Sequence, residues 1–195
     1  MARKASFAPV LDAGTRVLIL GSLPGDASLR AGQYYGHPRN AFWRLIGGVI
    51  GRDLVALPYD DRLRALMAAR IGLWDVVASA ERAGSLDAAI RRPEAADLRG
   101  LVAGLPALRA VAFNGGTAAR LGRPVLASAT GAELIALPSS SPAHARPFEE
   151  KLAAWGVLSR WLTEAAGNSR ADASFSGLGH IPMQAPHDTR REEPE

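Results

Sequence analysis

Residues Arg16 to Gly21 (RVLILG) form an unbroken apolar run that ends in glycine. Such a run, without polar alternation, describes a strand covered on both faces, and strands of that kind occur where helices pack on either side of a parallel sheet. The rest of the chain must then supply those helices and the neighbouring strands. A long Gly- and Pro-rich loop, Ser22 to Asn40, comes next. Ala41 to Ile50 reads as a helix with Phe42, Leu45, Ile46 and Val49 on one face, and Asp60 reads as the N-cap of a second helix carrying Leu63, Leu66 and Met67. A second buried strand fits Leu73 to Ala78, Ser85 suits the cap of a short turn, and Pro93 to Leu105 reads as helical. The third strand is Ala110 to Phe113, which runs through Asn114-Gly115-Gly116 into a helix over Thr117 to Leu121. The fourth is Glu133 to Leu137, and Pro147 suits the first turn of a last helix whose stripe is Leu152, Trp155, Leu158, Trp161 and Leu162.

Strands that alternate with helices predict an α/β fold: a three-layer α/β/α sandwich around a central, mostly parallel, four-stranded sheet. In such sheets ligands bind beyond the C-terminal ends of the strands. Those ends are Gly21-Ser22, Ala78-Ser79, Asn114-Gly115 and Pro138-Ser139. At 195 residues the chain suits one domain, expected over 1–164, and patterning fades after Gly167, so 165–195 is expected to be a flexible C-terminal tail.

Composition narrows the chemistry. There is no cysteine, which excludes disulfides, thiolate metal sites and a cysteine nucleophile. Of only four histidines, His180 and His187 fall in the expected tail, so no metal site is expected. No signal peptide or membrane-length apolar run is visible, and a cytoplasmic location without membrane contact is expected. The tail carries Arg170, Arg190 and Arg191 against Asp172, Asp188, Glu192, Glu193 and Glu195, which leaves 20 basic and 14 acidic residues in the body, a net of +6. A basic body with a mildly acidic tail is compatible with a nucleic-acid partner.

The loop Gly21-Ser22-Leu23-Pro24-Gly25 is neither G-x-G-x-x-G nor a P-loop, and alone it describes a turn leaving a sheet. It is followed by Gln33-Tyr34-Tyr35-Gly36-His37-Pro38-Arg39-Asn40-Ala41-Phe42-Trp43. Phe42 and Trp43 open a helix and suit a core. Two tyrosines, a basic residue and an amide beside a strand end suit a site that stacks on a base and hydrogen-bonds to it.

Four segments in register carry a resemblance. GSLPGDASLRAGQYYGHPRNAFW, IGLWDVVASAERAGSLDAAI, VAFNGGTAA and LPSSSPAHA resemble, in this order between about Val17 and Trp161, the hypoxanthine-DNA glycosylase branch (family 6) of the uracil-DNA glycosylase superfamily. Mismatch-specific relatives have Gly-Ile-Asn-Pro-Gly in the first motif, and their asparagine positions the attacking water. Here that position is Leu23, which has no donor or acceptor, so the catalytic amide implied by the resemblance is Asn40. Tyr35 matches the aromatic residue that stacks on the flipped base. Asp75 matches a base-reading position, where a carboxylate suits the N1–H of hypoxanthine or the N3–H of uracil; an N-cap or a buried ion pair with an arginine are its other readings.

Ser22, Leu23 and Asn114 complete the implied base pocket. Ser139, Ser140, Ser141, Pro142 and His144 correspond to the second motif, which grips the backbone around the extruded nucleotide, and Arg39, Arg44 and Arg146 are candidate phosphate contacts. The second motif's usual histidine is replaced by Leu137. The resemblance implies a monomeric, cofactor-free, monofunctional glycosylase that cuts deaminated bases (uracil, hypoxanthine or xanthine) from DNA and leaves an abasic site. Two rivals remain at this point: a nucleotide-binding protein using Gly115-Gly116 as its phosphate loop, and a damaged-DNA or abasic-site binder without activity.

Overall fold

The computed structural model describes residues 3–162; the expected tail, 165–195, lies outside the described residues. In chain order the elements are β1 (Arg3–Ala5), β2 (Val17–Gly21), α1 (Asp26–Ala31), α2 (Phe42–Ile50), α3 (Tyr59–Ala68), β3 (Ile71–Asp75), β4 (Val77–Arg82), β5 (Ile90–Ala95), α4 (Leu98–Ala103), β6 (Ala110–Asn114), α5 (Gly116–Leu126), β7 (Glu133–Leu137), α6 (Phe148–Trp155) and α7 (Ser159–Leu162).

The apolar run is the central strand. β2 pairs in parallel with β3 on one side and with β6 on the other, and β7 extends the sheet, giving the order β3-β2-β6-β7. Every residue of β2 and of β6 is buried. Val17 and Ile19, with Ala110 and Ala112, pack against α2, α3 and α6. Leu18 and Leu20, with Val111 and Phe113, point to the other face, where α4 and α5 cover them. The period of two that sends alternate side chains to opposite faces thus builds two cores from one strand, and each large apolar side chain buried this way contributes about 1.5–3 kcal/mol. This is the three-layer α/β/α sandwich.

The second layer of β-structure departs from the sequence expectation. Leu73 to Ala78 is not one strand: the chain leaves the parallel sheet at Val76, whose N–H donates to the Gly21 carbonyl (2.9 Å), and re-enters as β4 in a three-stranded antiparallel sheet, order β1-β4-β5. Nor is Pro93 helical. It lies in edge strand β5, where its missing N–H is tolerated, and the helix begins only after Asp97, whose side chain caps Gly100 N (2.9 Å). Three boundaries also shift. Pro58 rather than Asp60 occupies the N-cap of α3, Pro147 precedes the first turn of α6, and α5 runs on to Leu126. Ser85 does cap a helix, but a distant one, since its hydroxyl accepts from Asp26 N at the start of α1 (2.9 Å).

Candidate active site

At the C-terminal ends of the parallel strands lies a cleft of about 780 Å³. Its walls come from the loop after β2, the Tyr34–Asn40 segment, Ser85–Asp87, the start of α5 and the loop after β7. Every expected site residue lines it except two of the candidate phosphate contacts; Arg146 sits outside in an exposed pair with Glu150 (3.8 Å). Arg44 is also outside, its guanidinium over the Phe148 ring at 4.2 Å.

Two polar groups meet at the cleft floor beside Gly21. A Cβ on Gly21 would stand 2.4 Å from Asp75 Oδ1 and 3.3 Å from Tyr35 Oη, so only glycine leaves both side chains in place. Asp75, the last residue of β3, is 4% exposed, and its Oδ2 accepts from the Ser6 hydroxyl at 2.7 Å. Burial pushes its carboxyl up to about 7, although Ser6 and the Arg82 charge both act to lower it. No hydrogen bond reaches Oδ1 among the described residues. Asp75 is neither an N-cap nor half of a direct arginine pair.

Tyr35 has φ 54°, left-handed backbone that a tyrosine adopts only under constraint from its surroundings. One face of its ring lies on Phe42 (centroids 3.7 Å, planes 11° apart), and the ring borders the cleft. Among the described residues its buried hydroxyl finds no partner within hydrogen-bond geometry, with the Asn114 side chain nearby. Burial, reinforced by the Asp75 charge, raises the phenol far above its ordinary value and keeps it a neutral donor. Tyr34 is different: it is core, 3% exposed, with its ring edge against Phe7.

Asn40 precedes α2. Its Oδ1 accepts from Phe42 N (3.0 Å), closing a turn just ahead of the helix and leaving the amide Nδ2 as the group available to the cleft. Phe42 and Trp43 are buried core, as their pattern indicates.

Three expected contacts are engaged within the fold. Leu23 lines the cleft, is 5% exposed, and packs in the apolar cluster on the α4 and α5 face of the sheet. Asn114 and Ser140 form a buried clasp: Asn114 Nδ2 donates to Ser140 Oγ and Ser140 N donates to Asn114 Oδ1, both at 2.8 Å. Ser140 also accepts from Ala41 N through its carbonyl (3.0 Å). These residues fasten the serine loop to β6 and to α2, and the Ser140 hydroxyl is not free to grip phosphate. Gly115 (φ 101°) belongs to the same fastening, because a Cβ there would lie 3.0 Å from that of Ser139. Ser22 donates to Asp87 Oδ1 (2.6 Å). Ser141, Pro142 and His144 stay at the open edge, and Arg39 and Arg120 add positive charge there.

The residues that shape both walls escaped the sequence reading. Arg82, 2% exposed, donates through Nη1 to the Leu23 carbonyl (3.1 Å) and through Nη2 to the Pro24 carbonyl, with Asp87 at 3.9 Å. Lys151, 5% exposed, donates to the carbonyls of His144 (2.9 Å) and Ser141 (3.4 Å). Lys151 had a usable signal: it falls three residues after Phe148 and four before Trp155, on the apolar stripe of its helix. Arg82 had a weaker one, an arginine two residues after Ala80 on the same strand face.

Residues 8–162 match the family model described as the uracil DNA glycosylase superfamily. A protein from Methanosarcina barkeri named hypoxanthine DNA glycosylase is 44% identical over 153 residues, covering 78% of this chain and 96% of its own. One of the same name from Methanosarcina acetivorans is 44% identical over 157 residues, 80% and 98% of the respective chains. A solution NMR structure from Methanosarcina acetivorans, provisionally assigned as a uracil DNA glycosylase, superposes with a TM-score of 0.75 at 43% identity, covering 83% of this chain and 99% of that one. With a family match over nearly all the described residues and a site at the strand ends, the chain belongs to the uracil DNA glycosylase superfamily and is a DNA glycosylase.

Proposed function

We propose that the protein is a monofunctional glycosylase that turns deaminated bases (hypoxanthine, uracil or xanthine) out of DNA and hydrolyses their N-glycosidic bond, leaving an abasic site. The observation that carries this reading is the convergence of Asp75 Oδ1 and the unpartnered Tyr35 hydroxyl at Gly21, in a cleft edged by a stacked aromatic pair. A buried acceptor and a buried donor side by side fit the N–H and carbonyl edge shared by hypoxanthine and uracil. Adenine, with a lone pair at N1, would meet only lone pairs on the ionised form of Asp75. The names of the 44%-identical relatives support hypoxanthine as a substrate.

The chemistry follows from the nature of the bond. Cleavage passes through an oxocarbenium-like sugar, so the enzyme must hold the departing base and place a water. Tyr35, its ring fixed by the stack on Phe42, presents the edge of its phenol to an extruded base. Its neutral hydroxyl donates to the base oxygen, where negative charge grows as the bond breaks. Asn40 Nδ2 holds the water by donating to one of its lone pairs; the other bonds to the sugar carbon as the C–N bond breaks, and the water's proton ends on the departing base anion. An electrophilic sugar needs little activation of that water, so a donor suffices although the amide oxygen is engaged by Phe42 N. Ser139, Ser141 and His144 lie on the rim with Arg39 and meet the phosphates.

The test offers duplex oligonucleotides carrying one hypoxanthine, uracil or xanthine, with alkaline strand scission to reveal abasic sites. Alkali-dependent scission at hypoxanthine is expected, with none in its absence. Intact strands with all three bases would overturn the reading.

A further inference from the structure

We propose that Ser6 is the positioning residue of the base-reading carboxylate: its hydroxyl occupies Oδ2 of Asp75, so that Oδ1 meets the base as an acceptor. This role rests on the function proposed above, in which Asp75 reads an N–H edge. A carboxylate used in that way has two requirements. Its plane must be fixed, since the terminal torsion of an aspartate is broad. It must also be ionised, since a protonated oxygen turns from acceptor to donor.

Ser6 meets both from the other sheet. Among the described residues its hydroxyl makes the one hydrogen bond to the Asp75 carboxyl, to Oδ2 at 2.7 Å, across 69 positions of sequence. The Phe7 carbonyl lies 3.3 Å from the same Oγ. A hydroxyl has one proton, and the nearer, charged acceptor is the stronger partner for it. The backbone that carries Ser6 is held in turn. Its N–H donates to the Ala78 carbonyl (2.8 Å), one step past the β1–β4 ladder, and the Phe7 carbonyl accepts from Trp74 Nε1 (3.1 Å). The Phe7 ring stands edge-on to Tyr34, with centroids 5.2 Å apart. β1 thus delivers Ser6 to the point where the chain leaves the parallel sheet, one residue after Asp75.

The surroundings make this bond decisive for ionisation. Arg82 of β4 and Asp87 beyond it carry opposite charges and act on Asp75 in opposite directions. Tyr34 and Tyr35, from the loop ahead of α2, are buried phenols that stay neutral. Burial pushes the Asp75 carboxyl up to about 7, and Ser6 is the direct contact that favours its ionised form. Because Oδ2 is occupied, a proton taken up by the carboxyl sits on Oδ1, the atom that faces the base.

The experiment pairs two readouts for the wild type, Ser6→Ala, Ser6→Cys and Ser6→Thr. One is the second-order rate of hypoxanthine excision from a duplex over about pH 5 to 9, with protein in excess but below saturation, whose acid limb reports groups of the free enzyme. The other is the carbon-13 carboxyl NMR titration of Asp75 in the free protein, which needs no activity. Ser6→Ala should move both midpoints to higher pH by about one unit, which on the acid limb is about a tenfold lower rate. Ser6→Cys, a weak donor, should move them the same way by less, and Ser6→Thr, which keeps the hydroxyl, should restore them. A Ser6 that only props the fold would lower the rate equally at every pH, and that result overturns the proposal. So does an Asp75 titration unmoved in Ser6→Ala, or in Ser6→Cys should the alanine variant not fold. A moved titration with an unmoved rate limb overturns it as well, and each of these results leaves the glycosylase reading intact. Wild-type protein that releases no hypoxanthine, uracil or xanthine at any pH would overturn the glycosylase reading and this proposal with it, whatever the titration shows.

Discussion

The two walls of the cleft are built by the same device and differ in one respect. The loop after β2 is held from behind by buried Arg82, whose guanidinium bonds the carbonyls of Leu23 and Pro24. The serine loop after β7 is held from behind by buried Lys151, whose ammonium bonds the carbonyls of Ser141 and His144. Arg82 has a carboxylate neighbour in Asp87, whereas among the described residues no carboxylate pairs with Lys151, and burial lowers its proton affinity, helped by the nearby Arg146 charge. A guanidinium with a counter-ion makes a neutral, rigid floor suited to an uncharged base. An uncompensated ammonium under an exposed loop adds positive potential where phosphates would lie.

If that contrast is right, its two halves break differently. Arg82→Met strands two buried loop carbonyls and removes the cation facing Asp87, so it should cost about 2–5 kcal/mol of stability in denaturant unfolding. It should also abolish base excision. Full activity in a folded Arg82→Met protein would show that the floor needs no such anchor.

The floor also holds Asp75, and its burial has a pH consequence. Its carboxyl lies at about 7 in the fold against an ordinary 3.8, so the unfolded chain releases this proton first. The contribution to stability is fully present below about pH 4 and is lost as pH rises through 7. Asp75→Asn should therefore gain on the wild type between those values, by up to about 4 kcal/mol, in unfolding curves measured across the range. Parallel pH profiles for the two proteins would mean that the carboxylate is better solvated than its burial implies.

Lys151→Met is the smallest disturbance to folding. Two carbonyls at the surface edge lose a donor, for about 1–3 kcal/mol. Duplex affinity should fall by more than stability does, and its dependence on salt should become shallower, since one cation beneath the phosphates is gone. A loss of stability equal to that of Arg82→Met, with unchanged DNA affinity, would erase the difference between the walls.

How much of this was legible follows the same physics. The parallel sheet was readable because burial on both faces forces continuous apolar runs such as that of β2. The antiparallel sheet was not. β5 reads Ile-Arg-Arg-Pro-Glu-Ala, with no apolar alternation, and it is held by its ladder to β4 and by surface pairs such as Arg92 with Glu81 (3.0 Å). Edge strands of that kind leave no hydrophobic period to read. In the site, Tyr35, Asn40 and Asp75 were found through the motifs, but Ser140 was assigned a phosphate contact although its hydroxyl is buried and engaged by Asn114. Motif position says which loop a residue occupies and not which way its side chain turns. Of the buried cations, Lys151 lies outside every quoted segment, and Arg82 lies inside one whose pattern does not mark it as buried.

The central claim is that Asn40 places the water that captures the sugar. Asn40→Asp keeps an oxygen to accept from Phe42 N but removes the amide donor, so it isolates chemistry from folding. Its single-turnover excision of hypoxanthine from a duplex should fall by about 100-fold or more, while the Kd for the same duplex changes by no more than about threefold. Wild-type rates in Asn40→Asp, or equal losses of rate and affinity, would contradict the account.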